Sequence, residues 1–393
     1  MICGTVNRRD SGPKSSILKK NSSARRIRIL LLIPHLGGGG AEQVTALLAR
    51  GLSREKYDVH LGLVTGLVTG LDTRSLAAGV ALPPWVAVHA LGASRVRAGA
   101  FRLLRLVRRL KPDVILSGIA HLNFLVLLLR PFFPKSTRVL VRQNGTVSSS
   151  LAYGGLPRYT RLLYRLLYRH ADRVICQSRA MAEDLAGELQ LEAETIAVLP
   201  NPVDLAGILD GVRSAKNGPA QWTGPGPHLL AVGRLSHEKG FDLLLQAFSS
   251  VRRQFPNADL LIAGAGAEES ELKTQCLSLG LQAAVRFAGH LDNPYACFPG
   301  ATLFVLSSRH EGMPNALLEA AAAGLPIVAL PSSGGVIDLL RDRPDAWLAS
   351  EISAAALADS LLAALRVLHP AQLRTHAPST PTPEAIQPGP LRS

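Results

Sequence analysis

The stretch LFVLSSRHEGMPNALLEAAAAGLPIVALP, from Leu303 to Pro331, decides the fold that the sequence predicts. Its first residues form an apolar run typical of a buried parallel strand, and a turn follows at Glu311-Gly312. Good helix formers extend from Pro314 to Ala323, and Gly324 supplies a stop signal before a second apolar run. The stretch therefore predicts strand, loop, helix and strand, as in an open α/β sheet.

Two carboxylates mark the mouth of this unit, because Glu311 follows the strand and Glu319 comes eight residues later. In open α/β sheets, ligands bind between the carboxyl end of a strand and the start of the next helix. If the interval were helical, it would rise about 12 Å, more than the roughly 5 to 9.5 Å between the carboxyl groups of a glycosidase pair. We therefore favour a groove of sugar-nucleotide length, with two solvated surface acids as the alternative.

A second strand exit carries cations. The predicted strand Leu229 to Val232 ends in GRLSHEKG, residues 233–240, before a predicted helix from Phe241 to Arg253. Arg234 can bind two phosphate oxygens and Lys239 supplies a point charge, so the two form a candidate diphosphate clamp. Basic loops are common, and this one gains weight from the two carboxylates further along the same α/β unit.

Glycines follow the first predicted strand, Ile27 to Ile33. GGGG at residues 37–40 precedes a predicted helix from Ala41 to Leu52 and lets the backbone approach a ligand closely. The spacing fails the G-x-G-x-x-G pattern of dinucleotide-binding loops, because Glu42 or Gln43 takes the last position. A flexible loop without a ligand is the alternative.

These motifs together resemble the retaining glycosyltransferases of the GT-B fold, and in particular the large family 4. The E-x7-E motif of that family is matched by EGMPNALLE at 311–319, its GRL...KG segment by residues 233–240, and its glycine-rich first loop by GGGGAEQV at 37–44. HADRVICQS at 170–178 and VLPNPVD at 198–204 are also similar. The resemblance covers residues 27–368.

The resemblance implies two Rossmann-like α/β domains with parallel sheets that face a cleft. In the family, the first Glu contacts the donor sugar and the second contacts the ribose of the nucleotide, and cations stabilise the leaving diphosphate. The catalytic candidates are Glu311, His121, Arg234 and Lys239. The donor-binding candidates are Arg234, Lys239, Gly312, Met313, Pro314, Asn315, Glu319, Gly38 and Gly39.

His121 follows the predicted strand Asp113 to Leu116 and precedes a helix predicted from about Phe124. A position between a strand's carboxyl end and a helix's amino end favours a neutral imidazole, which can be a hydrogen-bond partner or a base. Members of the family often carry a histidine after this strand. A purely structural histidine is the alternative.

The 393 residues, of which 47% are hydrophobic and 18% charged, are enough for two globular domains. The predicted divisions, in order, are a basic flexible tail at 1–26, an acceptor-binding domain at 27–213, a linker rich in Gly and Pro at 214–227, a nucleotide-sugar domain at 228–368 and a disordered tail at 369–393. The last tail departs from the family, whose final helix commonly returns to the first domain.

The net charge of +14 predicts acidic partners such as nucleic acid, anionic lipid or phosphorylated substrates. Two amphipathic helices carry basic stripes, formed by Arg102, Arg105 and Arg109 and by Arg158, Arg161, Arg165 and Arg169. Such helices are either membrane-surface elements or packed helices with a solvated face. With scattered cysteines, no apolar span and no secretory signal, we expect a cytoplasmic protein, peripheral on the inner face of the membrane.

The predicted function is transfer of a hexose or N-acetylhexosamine from a nucleotide diphosphate sugar to a glycan or polyprenyl-linked acceptor. EGMPNALLEA is most similar to enzymes of lipid-linked or surface glycans that use UDP-sugars. No D-x-D-like site is present, so we expect no metal or other cofactor. The alternatives are an epimerase or phosphorylase of the same fold and a basic nucleic-acid-binding protein. The last should show stacking aromatics, which are only 5% of this chain.

Overall fold

The computed structural model describes residues 25–37, 39–65, 82–148, 151, 159–214, 222 and 224–369. The predicted C-terminal tail apart from His369, most of the predicted basic tail and linker, Gly38 and Arg158 lie outside these residues. The described chain forms two parallel sheets, one from each half of the sequence. The predicted α/β class with two Rossmann-like units is therefore confirmed.

The first sheet is formed by seven parallel strands. They are β1 (Ile27–Ile33), β2 (Tyr57–Thr65), β3 (Ala87–Ala93), β4 (Val114–Gly118), β5 (Arg138–Arg142), β6 (Arg173–Cys176) and β7 (Ile196–Val198). Their order is β3-β2-β1-β4-β5-β6-β7, so the direction of winding reverses between β1 and β4. The helices of this half are α1 (Gly40–Gly51), α2 (Ala100–Leu110), α3 (Ala120–Leu129), α4 (Tyr159–Tyr168) and α5 (Arg179–Leu189).

The second sheet is formed by six parallel strands. They are β8 (His228–Val232), β9 (Asp259–Ala263), β10 (Val285–Gly289), β11 (Leu303–Leu306), β12 (Ile327–Ala329) and β13 (Ala346–Leu348). Their order is β10-β9-β8-β11-β12-β13, with the reversal between β8 and β11. The helices packed with this sheet are α6 (Leu205–Ser214), α7 (Phe241–Gln254), α8 (Glu269–Ser278), α9 (Asn315–Ala322), α10 (Gly334–Leu340) and α11 (Ala354–Leu368).

The continuous apolar strands are buried on both faces. In β11, Leu303 and Val305 pack into one core cluster with α7 and α11, whereas Phe304 and Leu306 pack into another with α9. Successive side chains of a strand point to opposite faces, so an uninterrupted apolar run needs helices on both sides of the sheet. The uninterrupted apolar runs that predicted an α/β sheet are therefore the residues buried between the sheet and its two helix layers.

The edge strand β3, AVHALGA, was not predicted, because it is mostly half-exposed and lacks an apolar run. Helix α6 was placed in the first domain, but its Ile208 is fully buried beside Leu230 and Phe304 of the second sheet. The boundary at residues 213 and 214 is therefore corrected, because a composition rich in Gly and Pro marks a loop without showing which sheet the preceding helix covers.

Candidate active site

An ion pair lies at the carboxyl edge of the second sheet. Lys239 is in a short 3-10 turn after β8, and Glu311 is in the loop after the neighbouring strand β11. Lys239 Nζ is 2.5 Å from Glu311 Oε1, and Ser308 Oγ donates to the same oxygen at 2.7 Å. The two side chains are 25% and 11% exposed, so the pair is sheltered yet still reachable by a ligand.

The loops that carry this pair are fixed to each other. Gly240 adopts a left-handed conformation with φ of 62°, and an added Cβ there would collide with the Ser307 carbonyl. Arg309 binds both carboxylate oxygens of Asp242 at the start of α7, at 2.7 and 2.6 Å. Burial alone would raise the pKa of Asp242, but the hydrogen bonds from Arg309 lower it below its usual value. The position of Glu311 is therefore set by a rigid surrounding.

Arg234 is exposed on the same loop as Lys239. Burial would raise the pKa of Glu238, but a hydrogen bond from Ser236 and the positive charges of Arg234 and Lys239 lower it. The two predicted clamp residues therefore create a positive potential at one strand exit. A bound diphosphate would meet the exposed Arg234 and also Lys239, which is shared with Glu311.

Glu319 has a different environment. It lies on α9, is 9% exposed, and accepts a hydrogen bond from Gln43 Nε2 of α1 at 2.8 Å. Burial raises the pKa of Glu319, and hydrogen bonds from Gln43 and Tyr295 partly offset this effect. Since α1 belongs to the first sheet and α9 to the second, Glu319 lies where the two halves of the chain meet.

The helix that carries Glu319 begins only at Asn315, so Glu311 belongs to the preceding loop. The helical rise calculated for the whole interval is therefore wrong, since just over one turn separates Asn315 from Glu319. The two carboxylates are not equivalent groups along one helix face. One is paired with a cation, and the other is buried against an amide.

The loop between the two carboxylates packs against the first half of the chain. An added Cβ at Gly312 would collide with the backbone carbonyl of Asn144, which cannot move aside as a side chain can, so only glycine permits this close approach. Asn201 Nδ2 donates to the Met313 carbonyl at 3.1 Å, and Pro314 caps α9 with an extended backbone. The predicted donor-binding segment 312–315 is therefore also an interdomain contact.

His121 and Gly39 lie on the opposite side of this contact. Helix α3 begins at Ala120, earlier than predicted, so the exposed His121 is in its first turn. The side chain is exposed at the surface yet partly desolvated, and this partial burial lowers the pKa of His121, with the nearby His35 at the exit of β1 lowering it further. Gly39 caps α1, and its carbonyl accepts from Gln43 N at 3.0 Å. The exits of β1 and β4 therefore converge, as expected where the winding of the sheet reverses.

Several site residues were missed at the sequence level. Gln43 was noted only because it breaks the dinucleotide-binding pattern, yet it contacts Glu319. Asn201, between two prolines after β7, bonds to the segment that contains Met313. Ser308 was treated as the end of a strand, although it donates to Glu311. For Asn201 and Ser308 the available signal was a polar side chain just beyond a strand, whereas Gln43 lies within α1, where no such signal marks it.

Within the described ranges, no group of three or more His, Cys, Asp or Glu side chains is placed to hold a metal ion. Over the same residues, every helix is too short or too polar to cross a membrane. The thiols of Cys176, Cys276 and Cys297 are buried and free.

Two family models match the chain. The model described as Glycosyltransferase Family 4 matches residues 38–206, and the model described as Glycosyl transferases group 1 matches residues 216–373. The two matches meet in the region of α6, where the chain passes from the first sheet to the second. The chain belongs to the group 1 glycosyltransferases, and it has the GT-B fold.

Named relatives agree with this family. An uncharacterized glycosyltransferase of Methanocaldococcus jannaschii is 25% identical over 250 residues, which are 61% of this chain and 61% of that protein. The N-acetylgalactosamine-N,N'-diacetylbacillosaminyl-diphospho-undecaprenol 4-alpha-N-acetylgalactosaminyltransferase of Campylobacter jejuni is 26% identical over 324 residues, or 79% of this chain and 83% of that enzyme. Anabaena HepE, solved in complex with UDP and glucose, superposes with a TM-score of 0.69 at 19% identity, covering 89% of this chain and 92% of that one.

Proposed function

We propose that this glycosyltransferase moves a hexose or N-acetylhexosamine, with retention of configuration, from a UDP-sugar to a polyprenyl-linked or glycan acceptor. The observation that carries the proposal is the Lys239–Glu311 pair, beside the exposed Arg234 and at the mouth between the two sheets. It provides positive charge for a diphosphate and carboxylate oxygens for sugar hydroxyls within one small region.

Donor binding begins with an exchange of partners at Lys239. The diphosphate oxygens replace Glu311 as the partner of Lys239, and Arg234 binds the same group from its exposed position. The released carboxylate of Glu311 then accepts hydrogen bonds from the donor sugar. Both cations stabilise the charge that develops on the leaving diphosphate, so we propose that transfer needs no metal ion.

Glu319 and His121 complete the proposed site. Glu319 holds the ribose through carboxylate lone pairs that Gln43 and Tyr295 do not use. The lowered pKa of His121 keeps its imidazole neutral near pH 7, so it can accept a proton or a hydrogen bond from a hydroxyl at the first sheet. Retention of configuration is proposed from the similarity of residues 311–319 to the E-x7-E motif.

The nucleotide and the acceptor are proposed from relatives. Anabaena HepE has been solved with UDP and glucose, which supports a UDP-sugar as donor. The name of the Campylobacter jejuni enzyme describes an acceptor linked to diphospho-undecaprenol. An acceptor of that kind is held in a lipid bilayer, so the enzyme that extends it must work at a membrane surface.

One face of the first domain suits an anionic membrane surface on the cytoplasmic side. Helices α2, α3 and α4 pack side by side over one face of the first sheet, within a single core cluster. Each presents an apolar side chain outward, since Phe101, Leu128 and Leu162 are 75%, 62% and 56% exposed. Exposed cations, among them Arg105 and Arg169, flank them. Apolar groups among cations are the pattern of a helix that lies in the headgroup region.

Some of the predicted basic residues are exposed but engaged in contacts within the protein. Arg161 pairs with Glu188 at 2.9 Å, and Arg165 donates to the Glu188 carbonyl at 3.1 Å. Arg102 bonds to the carbonyls of Leu91 and Gly92. The basic stripes are therefore partly structural, and the proposed membrane surface depends on the remaining arginines.

A ligand screen tests the proposed function. Thermal unfolding of the whole chain is measured with UDP, GDP, ADP and their sugars, and release of nucleoside diphosphate is then measured with the donor that stabilises most, with and without a chelator. We expect stabilisation by a uridine nucleotide and turnover that resists chelation. Absence of any stabilisation by all of these nucleotides would overturn the proposal.

A further inference from the structure

A chain of hydrogen bonds crosses the cleft three times between a buried cation and a carboxylate of the proposed donor site. Arg142 Nη2 is 2.6 Å from Asn201 Oδ1, and Asn201 Nδ2 is 2.7 Å from Asn315 Oδ1. Asn315 Nδ2 is 3.3 Å from Gln43 Oε1, and Gln43 Nε2 is 2.8 Å from Glu319 Oε1. Residues of the first and second halves alternate along its last four members.

The donor-to-acceptor direction of this series of hydrogen bonds is fixed by its two ends, Arg142 and Glu319. A guanidinium only donates, so the Asn201 side chain must present its oxygen to Arg142 and its NH2 group to the second domain. The Asn315 oxygen then accepts, which turns the NH2 group of Asn315 toward the Gly40 carbonyl and Gln43 Oε1, at 3.1 and 3.3 Å. Gln43 is left with its NH2 group facing the carboxylate. Every amide orientation follows from the one before it.

Arg142 makes the first link strong. It is 4% exposed, and burial lowers its pKa to about 10. Among the described residues, its Nε and Nη1 atoms find no hydrogen-bond partner. Burial raises the pKa of the nearby Cys176 thiol to about 12, so that group is neutral at pH 7. The oxygen of Asn201 is therefore the closest compensation for a buried charge.

We infer that Arg142 and Asn201 are positioning residues, which hold segment 312–315 against the first domain and thereby link closure of the cleft to the placement of Glu319. Arg142 fixes the orientation of Asn201, and Asn201 binds both the Met313 carbonyl and the Asn315 side chain. When the domains separate, the Asn201 contacts and the Gln43 contact with Glu319 break together. The carboxylate is then no longer held by the first domain.

The consequence for catalysis rests on the proposed function, whereas the consequence for closure does not. Asn201→Asp keeps the contact with Arg142 and removes the contacts with the second domain. A carboxylate still accepts from Arg142, now with charge assistance, but it donates nothing to Met313 or Asn315 and repels the oxygen of Asn315. Asn257→Asp adds the same charge at an exposed turn of the second domain and serves as the control.

Small-angle scattering and thermal unfolding are measured for wild type and both variants without any ligand. We expect Asn201→Asp to keep or raise the melting temperature and to shift the radius of gyration to a larger value, while Asn257→Asp matches wild type. Two lost hydrogen bonds should reduce the closed-to-open ratio about tenfold. In turnover assays, the donor KM should rise by a similar factor, with little change in the unfolding temperature.

Gln43→Ala is the second variant, because it breaks the last two links without touching Arg142. It too should give a larger radius of gyration. An unchanged radius of gyration in both variants, or a melting temperature of Asn201→Asp well below that of the control, would overturn the inference and make Asn201 an ordinary structural residue. If the variants open but wild type binds no nucleotide, the proposed function fails and the positioning role stands.

Discussion

Lys239 Nζ lies 2.5 Å from Glu311 Oε1, so the cation proposed for the donor diphosphate is held by the carboxylate proposed for the donor sugar. Phosphate and carboxylate therefore compete for one ammonium group. A nucleoside diphosphate alone would leave Glu311 without its cation, whereas a nucleotide sugar supplies hydroxyls to the freed carboxylate. With these proposed roles, we expect the pair to favour the complete donor over the product nucleotide and thereby to help product release.

Removal of the cation tests the clamp. Lys239→Ala should weaken donor binding or turnover at least tenfold, because a lost charge-assisted contact costs about 1.5 to 3 kcal/mol. The control is Lys273→Ala, which removes a mostly exposed lysine paired with Glu269 on α8. Steady-state kinetics and circular dichroism are measured for both. A folded Lys239→Ala variant with wild-type kinetics would contradict the clamp.

The two carboxylates should give different phenotypes. Glu311→Ala should lower turnover strongly and leave the affinity for nucleoside diphosphate unchanged or higher, since it removes the competitor for Lys239. Glu319→Ala should mainly weaken nucleotide binding, because a ribose contact acts alike before and after transfer. Calorimetric titration with the nucleoside diphosphate and measurement of kcat separate these outcomes. Full activity in both variants would mean that these acids are merely surface groups.

Much of the fold could be predicted from local sequence. The strand Ile27–Ile33 has the predicted bounds, and the strand His228–Val232 and the helix Phe241–Gln254 each differ from prediction by one residue, because uninterrupted apolar runs and helical periodicity are local properties. The edge strand Ala87–Ala93 could not be predicted in this way, since half-exposed small residues give no such pattern.

The site was predictable only within each domain. Lys239 and Glu311 follow adjacent parallel strands, so their convergence follows from the topology. The contact between Gln43 and Glu319 depends on how the two domains meet, which no pattern in either half specifies. The same holds for Asn201 and Asn315.

Membrane binding is expected to combine two forces. The protein should sediment with anionic vesicles at low salt, and binding should decline as salt screens the arginines. Arg105→Glu with Arg169→Glu should abolish sedimentation, while Arg253→Glu, an exposed change on α7 of the second domain, should not. Phe101→Ser should reduce the part of the binding that persists at high salt. Equal binding to neutral and anionic vesicles, or none to either, would show that these faces are solvated surface.

Stability should depend on pH through a half-buried histidine pair on β2 and β3. His60 Nδ1 and His89 Nε2 are 2.9 Å apart, and burial, with the charges of His60 and Arg109, lowers the pKa of His89 below 6.5. Between that lowered pKa and 6.5, the unfolded chain binds more protons at this residue than the folded chain, so stability rises with pH. The contribution is fully present above about pH 6.5 and is lost as the pH falls through the folded pKa of His89.

His89→Gln removes this titration and should flatten the fall in melting temperature between pH 7.5 and pH 5, values chosen to bracket the ordinary histidine range. The amide can still bond to His60, so the variant should fold. His290→Gln, an exposed histidine after β10, should keep the wild-type pH dependence. If the melting temperature of His89→Gln falls with pH in parallel to wild type across this range, other groups cause the acid sensitivity and the pair of imidazoles does not contribute to it.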